Sequence, residues 1–139
     1  NTIVSYYAEV ARREGIAFTV DLRIPETLAV PEPELCAVIG NLLENALDAC
    51  RDMYGKSPFI HIRMKEENNQ LVLAIDNACS AAPAEKDGRF LSTKHEGFRT
   101  GTSSVQSTAE RYHGTAQFRC ANGVFYASVL LYGDEKNPQ

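Results

Sequence analysis

Residues 41–50 read NLLENALDAC, and the stretch from Glu32 to Met53 that contains them decides how the rest of the chain folds. Leu35, Val38, Ile39, Leu42, Leu43, Ala46, Ala49 and Met53 recur at steps of three and four residues, which predicts an amphipathic helix buried on one side. The same spacing sets Asn41, Asn45 and Asp48 at i, i+4 and i+7 with Glu44 beside them, so a second, polar stripe runs along the helix. A solvated helix face usually carries Lys and Glu, whereas Asn is a mediocre helix former. Two Asn one turn apart therefore suggest a ligand. Neutral carboxamide oxygens suit a hard divalent ion already partly neutralised by phosphates, because Mg²⁺ keeps several waters and takes few protein ligands.

Working outward, Ile3, Val4, Tyr7, Val10 and Ala11 predict a helix over Asn1 to Glu14 that stops at Gly15. Ile16, Phe18, Val20, Leu22 and Ile24 then alternate with Ala17, Thr19, Asp21 and Arg23, the pattern of a half-buried strand. Pro25, Pro31 and Pro33 punctuate the link into the central helix, and Gly55 with Pro58 closes it. Downstream, Ile60, Ile62 and Met64, then Leu71, Leu73 and Ile75, alternate on either side of Asn68-Asn69 and predict an antiparallel hairpin. Val105, Thr108, Ala109 and Tyr112 predict a short helix ending at His113-Gly114, and a second hairpin turns at Asn122-Gly123. Cys79 to Gly101 shows no usable period and is expected to be an irregular, functional loop. The domain is placed at residues 1–133, with a polar tail at 134–139. Three helices and about five strands joined by hairpins predict an α+β two-layer sandwich. Its mixed, largely antiparallel sheet would be covered on one face by the helices.

A chain of 139 residues forms one domain around one core. Its 44% hydrophobic and 23% charged residues are those of an ordinary globular domain. A net charge of −4 without a Lys/Arg cluster lacks the electrostatic footprint of a nucleic-acid binder. Cys36, Cys50, Cys79 and Cys120 form no CxxC pair, so neither a zinc site nor a redox motif is indicated, and a reducing, cytosolic compartment is expected. No apolar run has bilayer length. The chain opens on Asn1 inside a helical pattern, which reads as a domain cut from something longer.

Two further stretches can carry chemistry. Asp76-Asn77-Ala78-Cys79-Ser80 stands where the strand ending at Ile75 runs out. A carboxylate there can accept a hydrogen bond from an exocyclic amine such as that of adenine, and an Asx turn is the ordinary alternative. Ser92-Thr93-Lys94 and Gly97 to Val105 make a small, hydroxyl-rich approach to a helix. Free N–H groups and a helix dipole suit phosphate, while an N-cap at Thr102 or Ser103 accounts for the same residues. Glu44 either assists a proton transfer or faces solvent.

NLLENALDA resembles the N-box of the ATP-binding domain of sensor histidine kinases, in the superfamily that also holds gyrase, Hsp90 and MutL. Ile24-Pro25, Leu28 and ELCAVIGNLLENALDA from Glu34 to Ala49 are similar to the branch of membrane receptor kinases that answer peptide or citrate-type signals. The resemblance runs from Asn1 to about Leu131 and implies a Bergerat-type fold holding Mg²⁺-ATP between the central helix and a lid. It implies Asn45 as the magnesium ligand, Asn41 near the phosphates and Asp76 on the adenine amine. Asp48 and Glu44 share the stripe, and Thr93, Lys94, Gly101 and Thr102 fall in the lid. Ala78 and Ser80 replace the two glycines of the family's Asp-x-Gly-x-Gly box. Arg99 replaces a third, where its guanidinium either supports phosphate or obstructs the loop. The implied activity is phosphoryl transfer to a His on a separate, upstream dimerisation domain, with a response regulator as partner. The whole protein would be a homodimer anchored in the bacterial inner membrane, with this domain on the cytoplasmic side. None of His61, His95 and His113 is expected to be the phosphoacceptor. A degenerate signalling domain without catalysis, and an ATPase or serine kinase of the same superfamily, are the rival readings.

Overall fold

A computed structural model of the chain describes residues 2–53, 57–79, 84–86, 89–91 and 96–133, of which 84–86, 89–91 and 96–101 are described by backbone alone. Helix α1 (Thr2–Arg13) leads to strand β1 (Ala17–Arg23), helix α2 (Glu32–Arg51) and the hairpin β2 (Phe59–Glu67) and β3 (Gln70–Ala78). Short strands β4 (Ala84–Lys86) and β5 (Arg89–Leu91) precede helix α3 (Glu96–Arg111) and the hairpin β6 (Thr115–Ala121) and β7 (Val124–Tyr132). Five strands form one sheet in the order β1-β2-β3-β7-β6. Only β1 and β2 run parallel, and a parallel pair needs a crossover, which α2 supplies.

The predicted alternation becomes two faces of this sheet. Ile60, Ile62 and Met64 of β2, Leu71, Leu73 and Ile75 of β3, and Phe125, Ala127, Val129 and Leu131 of β7 are buried beneath the helices. His61, Arg63, Val72, Asp76 and Tyr126 lie on the opposite face. β1 is an edge strand, and its Val20 is 42% exposed. Both hairpins close through left-handed backbone, at Asn68 and Asn69 (φ 54° and 68°) and at Asn122 and Gly123 (φ 52° and 79°). These are the conformations of the two-residue turn that matches strand twist.

In the helical layer α2 touches α1, α3 and the sheet. α1 approaches it at Gly40, where an added Cβ would meet Ile3 Cδ1 at 3.3 Å. At the far end Arg51 donates to both carboxylate oxygens of Glu14 at 2.8 Å, and that bond holds Glu14 below the usual carboxylate range. Arg111 of α3 pairs with Glu34 in the first turn of α2. Two residues past the end of α3, His113 lies in the left-handed region (φ 63°), and the Gly114 N–H turns back to the Ala109 carbonyl at 2.7 Å to close the helix. Gly114 also serves close packing, since a Cβ there would lie 1.6 Å from the Leu130 carbonyl oxygen.

Two expectations are corrected. The stretch from Cys79 to Gly101 is not wholly irregular, because β4 and β5 pair antiparallel within it. α3 also begins at Glu96, so Gly101 and Thr102 are interior helical residues and Thr102 is not a cap. The hydroxyl-rich run has low helix propensity, and the helix gains its stability from packing. Thr102, Val105, Ala109 and Tyr112 are all buried, a stripe that continues one turn upstream of the predicted start. The predicted tail, 134–139, lies outside the described residues.

Candidate functional site

Four polar side chains are buried among the described residues: Asn45, Asn77, Thr102 and Thr108. Two of them are carboxamides on facing elements, Asn45 on α2 and Asn77 on β3. Buried polar groups in folded proteins are nearly always hydrogen-bonded, so each carboxamide here requires an account of its partners.

Asn45 is 7% exposed, and its Nδ2 is the one buried side-chain polar atom without a hydrogen-bond partner among the described residues. Helix interiors discourage Asn, and this one gains nothing from the fold around it. No internal bond fixes the amide, so a half-turn about its terminal torsion exchanges the two ends. Oδ1 can then meet a cation as readily as Nδ2 meets an anionic oxygen. No group of three or more His, Cys, Asp or Glu side chains gathers among the described residues. That donor set fits a Mg²⁺ that takes one protein oxygen and fills its shell with phosphate oxygens and water, and it does not fit a closed all-protein cage.

Asn41 and Asp48 share the flank of Asn45 and are half-buried. Asp48 Oδ1 accepts from Arg51 Nη1 at 3.4 Å. Glu44, i+3 from Asn41 and i−4 from Asp48, stands at the edge of this stripe toward α1, and its Oε2 accepts the Tyr7 hydroxyl at 2.9 Å, which joins two helices. Thr102 presents a buried side chain from α3, and α3 packs on α2. Gly101 and Arg99 are helical in backbone, while Thr93 and Lys94 lie outside the described residues.

Asp76 is placed away from Asn45. Successive side chains of a strand point to opposite faces, and Leu71, Leu73, Ile75 and Asn77 hold the phase that faces the helices. Asp76 falls on the other face, opposite His61 of β2 and Tyr126 of β7, and its Oδ2 pairs with Arg63 Nη2 at 3.3 Å. The inward residue at the end of β3 is Asn77, 2% exposed, whose Nδ2 donates to the Ala78 carbonyl at 3.0 Å. Strand phase counted from Leu71 gives this inward position. Ala78 stays in the ladder opposite Val124, outside the left-handed region, so its position has no need of glycine.

Cys50 fixes how α2 sits over this end of the sheet, with Sγ 3.5 Å from the Phe59 carbonyl oxygen and 3.9 Å from that of Ala78. Cys50 is five residues past Asn45, about 7.5 Å along the helix axis. Two surface depressions lined by described residues, of about 400 Å³ against β6 and β7 and about 240 Å³ on the outer face of β1, β2 and β3, include neither carboxamide. The buried carboxamides mark the site better than these open hollows, because a shallow concavity without convergent polar groups binds little. No helix of the described residues is long and apolar enough to cross a membrane.

A family model described as the GHKL domain matches residues 32–132. Among solved structures, the chain is similar to the catalytic domain of the histidine kinase ThkA in a nucleotide-free form. That match has a TM-score of 0.70 at 16% identity, over 96% of this chain and 91% of that one. It is also similar to the Acinetobacter baumannii histidine kinase AdeS, with a TM-score of 0.63 at 13% identity over 96% of this chain and 64% of that one. A complex of ThkA with the response regulator TrrA matches with a TM-score of 0.69 at 15% identity, over 96% of this chain and 39% of that one. No curated protein matches the sequence. At such identities the structures speak for the fold, a five-stranded mixed sheet under three helices.

Proposed function

The chain belongs to the GHKL domain family, and from that premise we propose that it is the Mg²⁺-ATP-binding catalytic domain of a sensor histidine kinase. The observation that carries the proposal is Asn45, a buried carboxamide with an unpartnered end, standing in NLLENALDA on the flank of α2 that α3 overlooks. A fold keeps such an atom at a cost of about 1–3 kcal/mol, which a bound ligand recovers.

In this reading Asn45 contributes one oxygen to Mg²⁺, and Asn41 and Asp48 serve the phosphate and water shell from the same flank. Thr93, Lys94, Arg99, Gly101 and Thr102 belong to the segment that closes over the triphosphate, on the strength of the sequence resemblance. The metal would neutralise charge developing on the phosphates, and the protein's part is to hold donor and acceptor in line. The acceptor is a His on an upstream dimerisation domain. His61 lies on the outer sheet face and His113 at the C-terminal end of α3, neither on the flank of Asn45. The peptide- or citrate-sensing branch, a response regulator as partner, and a membrane-anchored homodimer with this domain in the cytoplasm complete the proposal. Ala78, which stands where the family's box has a glycine, is accommodated as an ordinary strand residue.

Calorimetric titration with ATP, with and without Mg²⁺, tests the binding, and acid-labile phosphate tests the transfer. The 139-residue chain should bind Mg²⁺-ATP without labelling itself, and a version extended upstream through the dimerisation helices should label there. Absence of Mg²⁺-dependent ATP binding sinks the proposal. Self-labelling of the short chain at the rate of the long one overturns its division of labour.

A further inference from the structure

We propose that Cys79 and Cys120 form an oxidation site, two thiols that a hydroperoxide closes into one intramolecular disulfide. Their sulfurs stand 3.6 Å apart, although the residues are 41 positions apart in the chain. Sequence spacing gives no sign of this pair, because topology creates it. β7 lies between β3 and β6 in the sheet. Cys79 continues the helix-facing phase of Leu71, Leu73, Ile75 and Asn77, one residue beyond the last ladder pair, Ala78 with Val124. Its N–H donates to the Gly123 carbonyl at 2.9 Å. Cys120 shares the phase of Ala116 and Phe118 on β6, and all three pack against the core. The two side chains therefore meet over the start of β7, on the side that faces the helices.

The other two cysteines are set differently. Cys50 turns its Sγ to the Phe59 and Ala78 carbonyl oxygens, and Cys36 is half-buried on α2. Within the pair, Cys120 is half-buried on an edge strand, so an oxidant reaches it before the buried Cys79. The Cys120 thiolate attacks one peroxide oxygen and becomes a sulfenic acid, and the displaced hydroxide takes up the proton the thiol lost. The Cys79 sulfur then attacks the Cys120 sulfur, the S–S bond forms, and hydroxide leaves with the Cys79 proton as water. Two thiols and one hydrogen peroxide give one disulfide and two waters, with two electrons passing from sulfur to oxygen. Closure brings the sulfurs from 3.6 Å to about 2.05 Å, and Cys79 can supply that shift because it lies past the ladder. Burial holds the Cys120 thiol protonated, so the pair answers sustained exposure rather than a brief pulse. The bridge ties the end of β3 to β6 and encloses β4, β5 and α3 in one loop, which constrains the unfolded chain more than the folded one.

The experiment exposes the full 139-residue chain, fully reduced, to hydrogen peroxide for increasing times. Each sample is unfolded in urea, its remaining thiols are capped with iodoacetamide, and its tryptic peptides are mapped by mass. The peptides of Cys79 and Cys120 should lose their caps together and appear as one linked species that dithiothreitol separates, while Cys36 and Cys50 stay capped. The linked chain should unfold at a urea midpoint higher by on the order of 1 M, and dithiothreitol should reverse the shift. Cys120→Ser should abolish both the link and the shift, and Cys36→Ser should keep both. A link from Cys79 to Cys50, a link only between chains, or Cys120 carried on to sulfinic acid beside a free Cys79 overturns the inference. So do four thiols that all remain capped after prolonged exposure. A linked chain whose midpoint stays or falls also overturns it, since the bond then forms only by distorting the fold. Should Cys120→Ser not fold, the linked peptide and the midpoint of the unmodified chain still decide.

Discussion

Tyr7 of α1 donates its hydroxyl to Glu44 Oε2 of α2 across 2.9 Å, and burial first, then this bond, pushes the phenol up to about 12. The bond joins two helices at a carboxylate that water also reaches, so Tyr7→Phe should cost about 1 kcal/mol, measured by urea unfolding at neutral pH. A folded-state pKa above the unfolded value of about 10 means that the fold favours the neutral phenol. Its contribution is complete below pH 10 and disappears as pH rises through about 12, so the gap between native and Tyr7→Phe should close over that window. Glu44→Gln should leave Mg²⁺-ATP affinity where it was. A loss of affinity would return Glu44 to the site.

The thiols of Cys79 and Cys120 stand 3.6 Å apart, and burial followed by the contact with Cys79 pushes Cys120 up to about 12. Burial likewise pushes Cys50 up to about 11. The thiolate is the reactive form, and burial keeps Cys50 and Cys120 in the thiol form at pH 8. Iodoacetamide should label both cysteines far more slowly in the native chain than in urea, as read by peptide mass. Native labelling of Cys120 at the unfolded rate would mean that this corner of the sheet opens freely.

Most of the fold was legible because burial on one face writes a period into the sequence. Leu35 to Met53 announced α2, and Asn68-Asn69 and Asn122-Gly123 announced their turns through residues that tolerate left-handed backbone. What failed to show was structure stabilised by distant packing. Gly101 and Thr102 read as a turn because their propensities say so, yet Thr102 is buried in α3 one turn before Val105. The candidate site divided in the same way. Helical spacing set Asn45 on a polar stripe, but not the burial that leaves its amide unpartnered, and side-chain alternation along β3 puts Asp76 on the outer face and Asn77 inward. Glu44 adjoins Asn45 in sequence and faces another helix, which only the contact with Tyr7 reveals.

Asn45 links stability to function, and the link has a sign. Its Nδ2 is buried without a partner, so Asn45→Leu replaces an unsatisfied amide by an apolar side chain of similar size among Leu42, Ala46 and Ala49. Replacing such a group recovers its desolvation cost, and the ligand-free variant should be about 1–3 kcal/mol more stable than the native chain in urea unfolding. The same change removes the carboxamide oxygen offered to Mg²⁺. ATP at a hundredfold excess over its Kd should stabilise the native chain by about 2.7 kcal/mol, and in Asn45→Leu the Mg²⁺-dependent share of that gain should vanish. Asn45→Asp separates the two effects. It retains an oxygen for the metal but buries a charge, so it should lower ligand-free stability while keeping Mg²⁺ dependence. If Asn45→Leu instead destabilises the ligand-free chain, the amide has a partner within the fold, and the residue is structural rather than held in reserve for a ligand.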